Sequence, residues 1–239
     1  MLKKLAILIM VPVFFLAMVF NQSAYAESYF GGSIGVSLSS DASDIKLANG
    51  ALTGTLTDLD TNSSFAYGIK VGHYFESMPW LGVEFNLYQR DPDVDQQAGT
   101  ATGTIGVWTA AATGQGKVAV DHLTTYGFLL MLRATEEQTK NFFNIQPYLG
   151  IGVGINTLSL GNGTVYSAAG VEGASANLGS DTSTDILLSA GLNYKVTDNI
   201  KAYGEYKYTT VNYSAETDGT TYAFDLDDSS LMFGVAYNY

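Results

Sequence analysis

Leu231-Met232-Phe233-Gly234-Val235-Ala236-Tyr237-Asn238-Tyr239 closes the chain. Leu231, Phe233, Val235, Tyr237 and Tyr239 are large and apolar or aromatic, and the residues between them are mostly small or polar. Alternation with period two marks a strand with two unlike faces. The stretch runs to the terminus and finishes on an aromatic residue. A barrel closed in a membrane needs such a strand, because its last strand must seal against its first and lipid satisfies no open edge. The large residues are expected to face lipid, with Gly234 and Ala236 in a crowded interior.

The other end of the chain fits an exported protein. Lys3 and Lys4 precede the apolar run Leu5 to Phe20, and the polar stretch after it ends Ala24-Tyr25-Ala26. This order predicts a signal peptide over 1–26, cleaved at the Ala24-x-Ala26 site, leaving Glu27 first. A transmembrane helix is the rival reading. The run is short against the roughly 20 apolar residues a span needs, and no basic stop-transfer flank follows it. The formal charge is −12, and removing 1–26 takes away two lysines and no acid. Nucleic acid is thereby excluded as a partner, since binding it needs clustered Lys and Arg. The absence of cysteine excludes disulfides, an N-terminal lipid anchor and thiolate metal sites. Gly 26 against Pro 4, with Tyr 16 and Phe 12, suits an antiparallel sheet with crowded positions. The segment 27–239 fits one domain.

Eight runs alternate with period two: about 28–39, 63–75, 80–90, 118–133, 142–159, 182–195, 200–213 and 221–239. Each sets an apolar face, such as Leu149, Ile151, Val153 and Ile155, against a small or polar one, such as Tyr148, Gly150, Gly152 and Gly154. A soluble sandwich would bury the apolar faces against each other. A transmembrane barrel would turn them to lipid. Three features favour the barrel. The connections alternate long (40–62, 91–117, 160–181, 214–220) and short (76–79, 134–141, 197–199), like extracellular loops and periplasmic turns. Aromatics cluster at strand ends, where interfacial girdles belong: Tyr29, Phe30, Tyr74, Phe75, Trp80, Phe142, Phe143, Tyr194, Tyr237 and Tyr239. The small faces are glycine-rich, as a narrow interior requires. An even strand number puts both termini on the periplasmic side. Ten strands would need a hairpin inside 91–117, where the one alternating segment, Thr104 to Thr109, is short of the roughly 9–11 residues a spanning strand needs. The expected fold is therefore all-β, an eight-stranded antiparallel up-and-down transmembrane barrel.

The segments 147–154 (PYLGIGVG), 191–199 (GLNYKVTDN), 205–208 (EYKY) and the terminal strand resemble the small outer-membrane β-barrel family typified by OmpA- and OmpX-type barrels and related surface antigens. The resemblance spans 27–239, without a following peptidoglycan-binding domain. It implies the outer membrane of a Gram-negative bacterium, a monomer, and contact with outer-membrane lipid and lipopolysaccharide. By the same resemblance Leu231, Phe233, Val235, Tyr237 and Tyr239 form the signal read by the outer-membrane assembly machinery. The family more often ends in Phe, from which Tyr239 departs. Its barrels host adhesins, structural proteins, channels and enzymes, so it specifies fold better than function.

Lys70, Glu84, Arg133, Glu205 and Lys207 fall on interior faces and are expected to form a charge network, because a buried charge needs a partner. Lys70 and Glu84 are symmetric about Ser77, which predicts a direct cross-strand pair. A plug of salt bridges is the favoured reading over an ion path, since an eight-strand barrel is just wide enough for side chains to fill. A two-residue turn at Thr197-Asp198 would set Glu205 opposite the outward Ala190; a three-residue turn or a bulge removes the conflict. Asp91-x-Asp93-x-Asp95 and Asp58-x-Asp60-x-Asn62 open like calcium loops but lack the glycine and terminal Glu, so no metal is assigned. His73 and His122 have no Ser on a matching face by sequence spacing, so no hydrolase set is assigned. No cofactor is expected. The function read from these residues is a non-enzymatic surface protein whose loops meet a host or extracellular ligand. A small channel for ions or solutes is the alternative, and a lipid-modifying enzyme a third.

Overall fold

The structure is a computed structural model that describes residues 27–38, 41–42, 45–49, 52–56, 59–60, 62–91, 97–105, 108–139, 141, 145–166, 172–217 and 220–239. The segment 1–26 expected to be a signal peptide, with Ala24 and Ala26, lies outside the described residues, as do Asp58, Asp93, Asp95, Phe142 and Phe143.

Eight strands build the wall: β1 Glu27–Ser37, β2 Ser64–Phe75, β3 Met78–Arg90, β4 Trp108–Arg133, β5 Ile145–Tyr166, β6 Glu172–Lys195, β7 Ile200–Thr217 and β8 Thr220–Asn238. Each pairs antiparallel with the next. β8 pairs antiparallel with β1 from Tyr29–Asn238 to Ser37–Ser230, which closes the barrel. The terminal strand thus seals the wall. Tyr239 adds one rung, its N–H donating to Ser28 O at 3.0 Å.

The register fixes the barrel's dimensions. One row of partners runs Tyr74, Gly82, Met131, Gly150, Ser189, Lys207, Ser230, Ser37 and returns to β2 at Ser64. One circuit therefore climbs ten residues along β2. Eight strands with a stagger of about ten residues tilt by about 40° from the axis and enclose a backbone cylinder of about 8 Å radius. That radius admits side chains and little else.

Parity puts the apolar faces outside. Ile34 (61% exposed), Leu149 (60%) and Ile186 (63%) stand on the outer surface with Phe30, Ile151, Phe233 and Val235. An apolar band of this extent suits lipid and not water, so the soluble sandwich is excluded. Leu130 and Leu132 face outward on β4, while Leu129 and Met131 are buried, which settles that strand's faces.

Inside, five buried tyrosines each oppose a glycine on the adjacent strand: Tyr29–Gly72, Tyr74–Gly82, Tyr88–Gly68, Tyr148–Gly191 and Tyr203–Gly234. A Cβ on any of these glycines would collide with its tyrosine or the neighbouring backbone. The glycine-rich faces are thus the floor on which interior rings lie. Tyr29 and Tyr74 belong to this core and not to an interfacial girdle; they stack on each other with centroids 5.8 Å apart. Their parity is opposite to that of Phe30 and Phe75, so the aromatic pairs at these strand ends straddle the wall.

Two local findings change the register expected from sequence. The β2–β3 turn is Glu76-Ser77, and Phe75 pairs with Met78, but Tyr74 pairs with Gly82. Pro79 lacks an N–H to give to a ladder, so the chain bulges there. Lys70 therefore opposes Asn86 and Glu84 opposes Gly72, correcting the direct Lys70–Glu84 pairing. At the other hairpin Lys195 pairs with Lys201 and Glu205 opposes Gly191, so Glu205 points inward without conflict.

The long connections are largely strand. β4, β5 and β6 are 26, 22 and 24 residues long, against 11 to 13 for β1 to β3. Residues 160–166 and 172–181 continue the β5–β6 ladder, and 214–217 with 220 continue the β7–β8 ladder. Gln97–Ile105 forms a hairpin with β4 from Gln97–Gly116 to Ile105–Trp108. That hairpin lies outside the closure, so the barrel has eight strands and not ten. Within 40–62, Ile45–Asn49 pairs with Leu52–Leu56 and with β8. The short connection 134–141 holds one helical turn, Glu136–Thr139, preceded by Thr135, whose N–H donates to Gln138 Oε1 at 2.8 Å.

Candidate functional site

The lumen is filled in tiers. At the end of the barrel where β1 begins and β8 finishes, Glu27 accepts Arg133 Nη1 at 2.5 Å and Lys201 Nζ at 2.6 Å. Arg133 also donates from Nε to Pro79 O at 2.8 Å and lies 3.6 Å from the Tyr74 ring centre. The Pro79 bulge thus frees a carbonyl that orients the guanidinium.

The next tier gathers four of the five charges expected inside. Lys70 Nζ lies 3.5 Å from Glu84 Oε2 and 3.2 Å from Glu205 Oε2. Lys207 Nζ lies 2.8 Å from Glu205 Oε1. Tyr29 donates to Glu84 at 2.6 Å, and Tyr148 and Ser189 each donate to Glu205 at 2.9 Å. Lys70 also sits 3.8 Å from the centre of the Tyr203 ring. All four charged side chains are buried, and the two lysines balance the two glutamates. Arg133 is not part of this group; it belongs to the tier below. Between the two tiers the free space is about 10 Å³, room for about one water.

Above them lies a pair that sequence spacing did not reveal. Arg90, fully buried, meets Asp228 at 2.7 Å and donates to Thr125 at 3.0 Å. Thr125 donates to Asn156 Oδ1 at 2.6 Å, and Ser37 donates to Asp228 Oδ1 at 3.0 Å. Arg90 and Asp228 both have inward parity, and that was the available signal. Their meeting depends on closure of β8 onto β1 and on the stagger. The meeting of Glu27 with Arg133 and Lys201 depends on the stagger in the same way. Beyond Arg90 several inward side chains are apolar and buried, Leu123, Leu158, Val211, Tyr213 and Leu226, with Asp181 of β6 paired beside Leu158. Ion pairs, tyrosines and this apolar layer occlude the lumen.

The histidines lie on the wall. Register places Ser28 opposite His73 and Ser159 opposite His122, correcting the expectation of no matching serine. Ser28 Oγ and His73 Nδ1 are 2.8 Å apart. Ser28 is fully buried, which keeps its hydroxyl from a substrate. Among the described residues no group of three or more His, Cys, Asp or Glu could hold a metal ion.

Beyond the membrane band the wall divides. The β6–β7 ladder stops at Leu187–Thr209 among the described residues, although both strands continue. Side chains bridge the seam: Asn212 donates to Asp185 at 2.5 Å, and the Ser214 N–H donates to Asp181 at 2.9 Å.

Comparison with known proteins supports this architecture. In structure the chain is similar to the outer membrane protein OprG from Pseudomonas aeruginosa, at 15% identity and TM-score 0.51 over 91% of this chain and 97% of that one. It is similar to the outer membrane protease OmpT from Escherichia coli, at 10% identity and TM-score 0.50 over 88% and 97%. It is also similar to Neisserial surface protein A, at 13% identity and TM-score 0.47 over 88% and 97%. No curated protein matches. At these identities the likeness concerns the fold, which a protease shares. Residues 13–239 match the family model described as outer membrane protein beta-barrel domain, and the chain belongs to that family of Gram-negative outer-membrane barrels.

Proposed function

We propose that the protein is a non-enzymatic surface protein. Its barrel is an anchor, and its extracellular strand extensions meet a ligand outside the cell. One observation carries this reading: an occluded lumen beneath a wall that far outreaches the membrane. Spanning takes roughly 9–11 tilted residues, so β4, β5 and β6 each have ten or more residues to spare, roughly 25 Å of extra height. A structure that tall has no use in holding the barrel in lipid. Surface area for a host surface, matrix component or other protein is the simplest account. The channel reading has no comparable support, because the cations and carboxylates inside satisfy one another and leave little free volume.

Three further readings accompany it. Cleavage after Ala26 would leave Glu27, the first residue of β1, free to bind Arg133 and Lys201; N-terminal sequencing of the mature protein tests it. Leu231, Phe233, Val235, Tyr237 and Tyr239 are read as the assembly signal, which their outward exposure on the closing strand suits. The protein is read as a monomer, testable by mass in detergent. The main test is binding of cells displaying the protein to epithelial monolayers and purified matrix proteins. Deleting 91–117, which takes out the Gln97–Ile105 strand and the part of β4 it pairs with, is expected to abolish binding while heat-modifiable migration on SDS gels persists. Equal binding by the deleted form would overturn the reading. Conductance steps in planar bilayers would favour the channel.

A further inference from the structure

The outer wall carries a concavity of about 1040 Å³ on the β8–β1–β2–β3–β4 side. Two neighbouring rows of outward residues line it. The lower row is Val235, Gly32, Ile69, Leu87 and Tyr126; the upper is Phe233, Ile34, Tyr67, Gln89 and Thr124. Its notch is Gly32. Its neighbours of that parity on β1, Phe30, Ile34 and Val36, are large and exposed. A Cβ at Gly32 would meet only the Gly68 carbonyl, 4.0 Å away. This glycine is therefore not required by packing, unlike the glycines under the interior tyrosines. Space outside the wall is the thing its missing side chain provides.

The groove has a direction. Rows climb from β8 round to β4, because the circuit from Tyr74 ends ten residues toward the extracellular end of β2. With a strand spacing of about 4.8 Å and a tilt of about 40°, four steps span about 19 Å and rise about 12 Å. The low end, at Val235 and Phe233, is wholly apolar. The high end, at Tyr67, Gln89 and Thr124, offers a phenol, a carboxamide and a hydroxyl abreast on three adjacent strands.

We propose that this groove binds an acyl chain of lipid A, the membrane anchor of lipopolysaccharide, with its ester and headgroup end at Gln89 and Thr124. The polarity gradient matches an amphiphile whose polar end points out of the cell, which selects the outer leaflet. The length suits one long fatty acyl chain lying obliquely against the wall. The site is separate from the strand extensions, and its test does not depend on their role.

The experiment is native mass spectrometry of the full mature barrel, delipidated in detergent and titrated with hexa-acyl lipid A or with dioleoylphosphatidylethanolamine. One bound lipid A is expected at concentrations where the phospholipid is not retained. Gly32→Leu fills the notch in open space and is expected to weaken retention roughly tenfold by removing apolar contact. Ala190→Leu, outward on β6, is expected to change nothing. Gln89→Leu with Thr124→Val is expected to erase the preference for lipid A while leaving acyl binding. Each variant is first shown to be folded by heat-modifiable migration. Should Gly32→Leu compromise folding, Gly32→Ala and the Gln89/Thr124 variant decide the matter. Unchanged retention by Gly32→Leu, equal retention of the phospholipid by the parent barrel, or dimers in place of bound lipid would overturn the proposal.

Discussion

Replacing Lys70 by methionine tests whether the lumen is held by mutual neutralisation. The ammonium touches two carboxylates, at 3.5 Å and 3.2 Å, and the face of Tyr203. The two glutamates do not lose equally. Glu205 keeps Lys207 at 2.8 Å and the hydroxyls of Tyr148 and Ser189. Glu84 keeps only neutral donors, Tyr29 at 2.6 Å and the Asn86 amide at 3.1 Å. Stranding one buried charge costs about 3 kcal/mol, toward the low end for a broken buried pair because those donors remain. The lost contact with Tyr203 adds about 1 kcal/mol, so Lys70→Met should cost about 4 kcal/mol. Neutralising Glu84 as well should return most of this: Lys70→Met with Glu84→Gln is expected to cost about 1.5 kcal/mol, a recovery of about 2.5 kcal/mol over Lys70→Met alone. The assay is reversible urea unfolding in lipid vesicles, followed by tryptophan fluorescence and by the folded band on unheated gels. Lys195→Met is the control. Its partner Asp198, in the turn between β6 and β7, is 95% exposed, and a solvent-screened pair of that kind is worth less than about 0.5 kcal/mol. If Lys70→Met lies within about 1 kcal/mol of the parent, or the double variant is no better than the single, the tier is not an interdependent network.

Three other outcomes are expected. Gly72→Ala pushes a methyl into the Tyr29 ring and should cost about 1–3 kcal/mol in the same unfolding assay, whereas Gly32→Ala, with open space, should cost under about 1 kcal/mol. Deleting Tyr239 removes the last rung between β8 and Ser28 together with the terminal aromatic, and should reduce the folded outer-membrane fraction in cells more than it reduces refolding yield in detergent. Hydrogen exchange should separate the two halves of β7: amides below Thr209 that face β6 should be protected far longer than those above it, and Asp181→Ala should speed exchange at Ser214 specifically.

Much of the barrel could be read from period-two alternation, because each strand has one face in lipid and the other in a lumen too narrow for large side chains on every strand. Parity alone placed Lys70, Glu84, Glu205 and Lys207 inside. Register was harder. Two residues of error at Lys70 and Glu84 came from Pro79, whose missing N–H lets three residues bulge before pairing resumes at Gly82. Tyr29 and Tyr74 looked like girdle residues because they sit at strand ends beside Phe30 and Phe75; their inward parity, and the glycine opposite each, carried the right answer. The upper parts of β4, β5 and β6 were illegible for a different reason. Gly, Ser, Thr, Ala and Asn dominate 160–181, so neither hydrophobic alternation nor high strand propensity marks the segment. Residues 160–166 and 172–181 are strand because a long neighbour offers a ladder and hydrogen bonding does not depend on which side chains are present.

That cause also bears on where function sits. Within the membrane the inward positions pack rings, ion pairs and glycines beneath rings against buried side chains such as Leu129, Met131 and Met232, so exchanging one residue disturbs its partners across the barrel. Above Leu187 and Thr209 the constraint lifts. The β6–β7 ladder has ended, and the seam is held by Asp185–Asn212 and by Asp181 on a backbone N–H. Sequence there can change without unseating the anchor. Under the surface role proposed above, recognition would fall where the fold tolerates substitution, and the barrel separates the two demands by height: closure and neutralisation below, a divided wall above. The Gly32 groove is the exception, a membrane-level feature that packing does not require. The expected sensitivity to Gly32→Leu therefore discriminates: loss of lipid without loss of fold assigns the notch to a ligand, because the barrel has no other use for it.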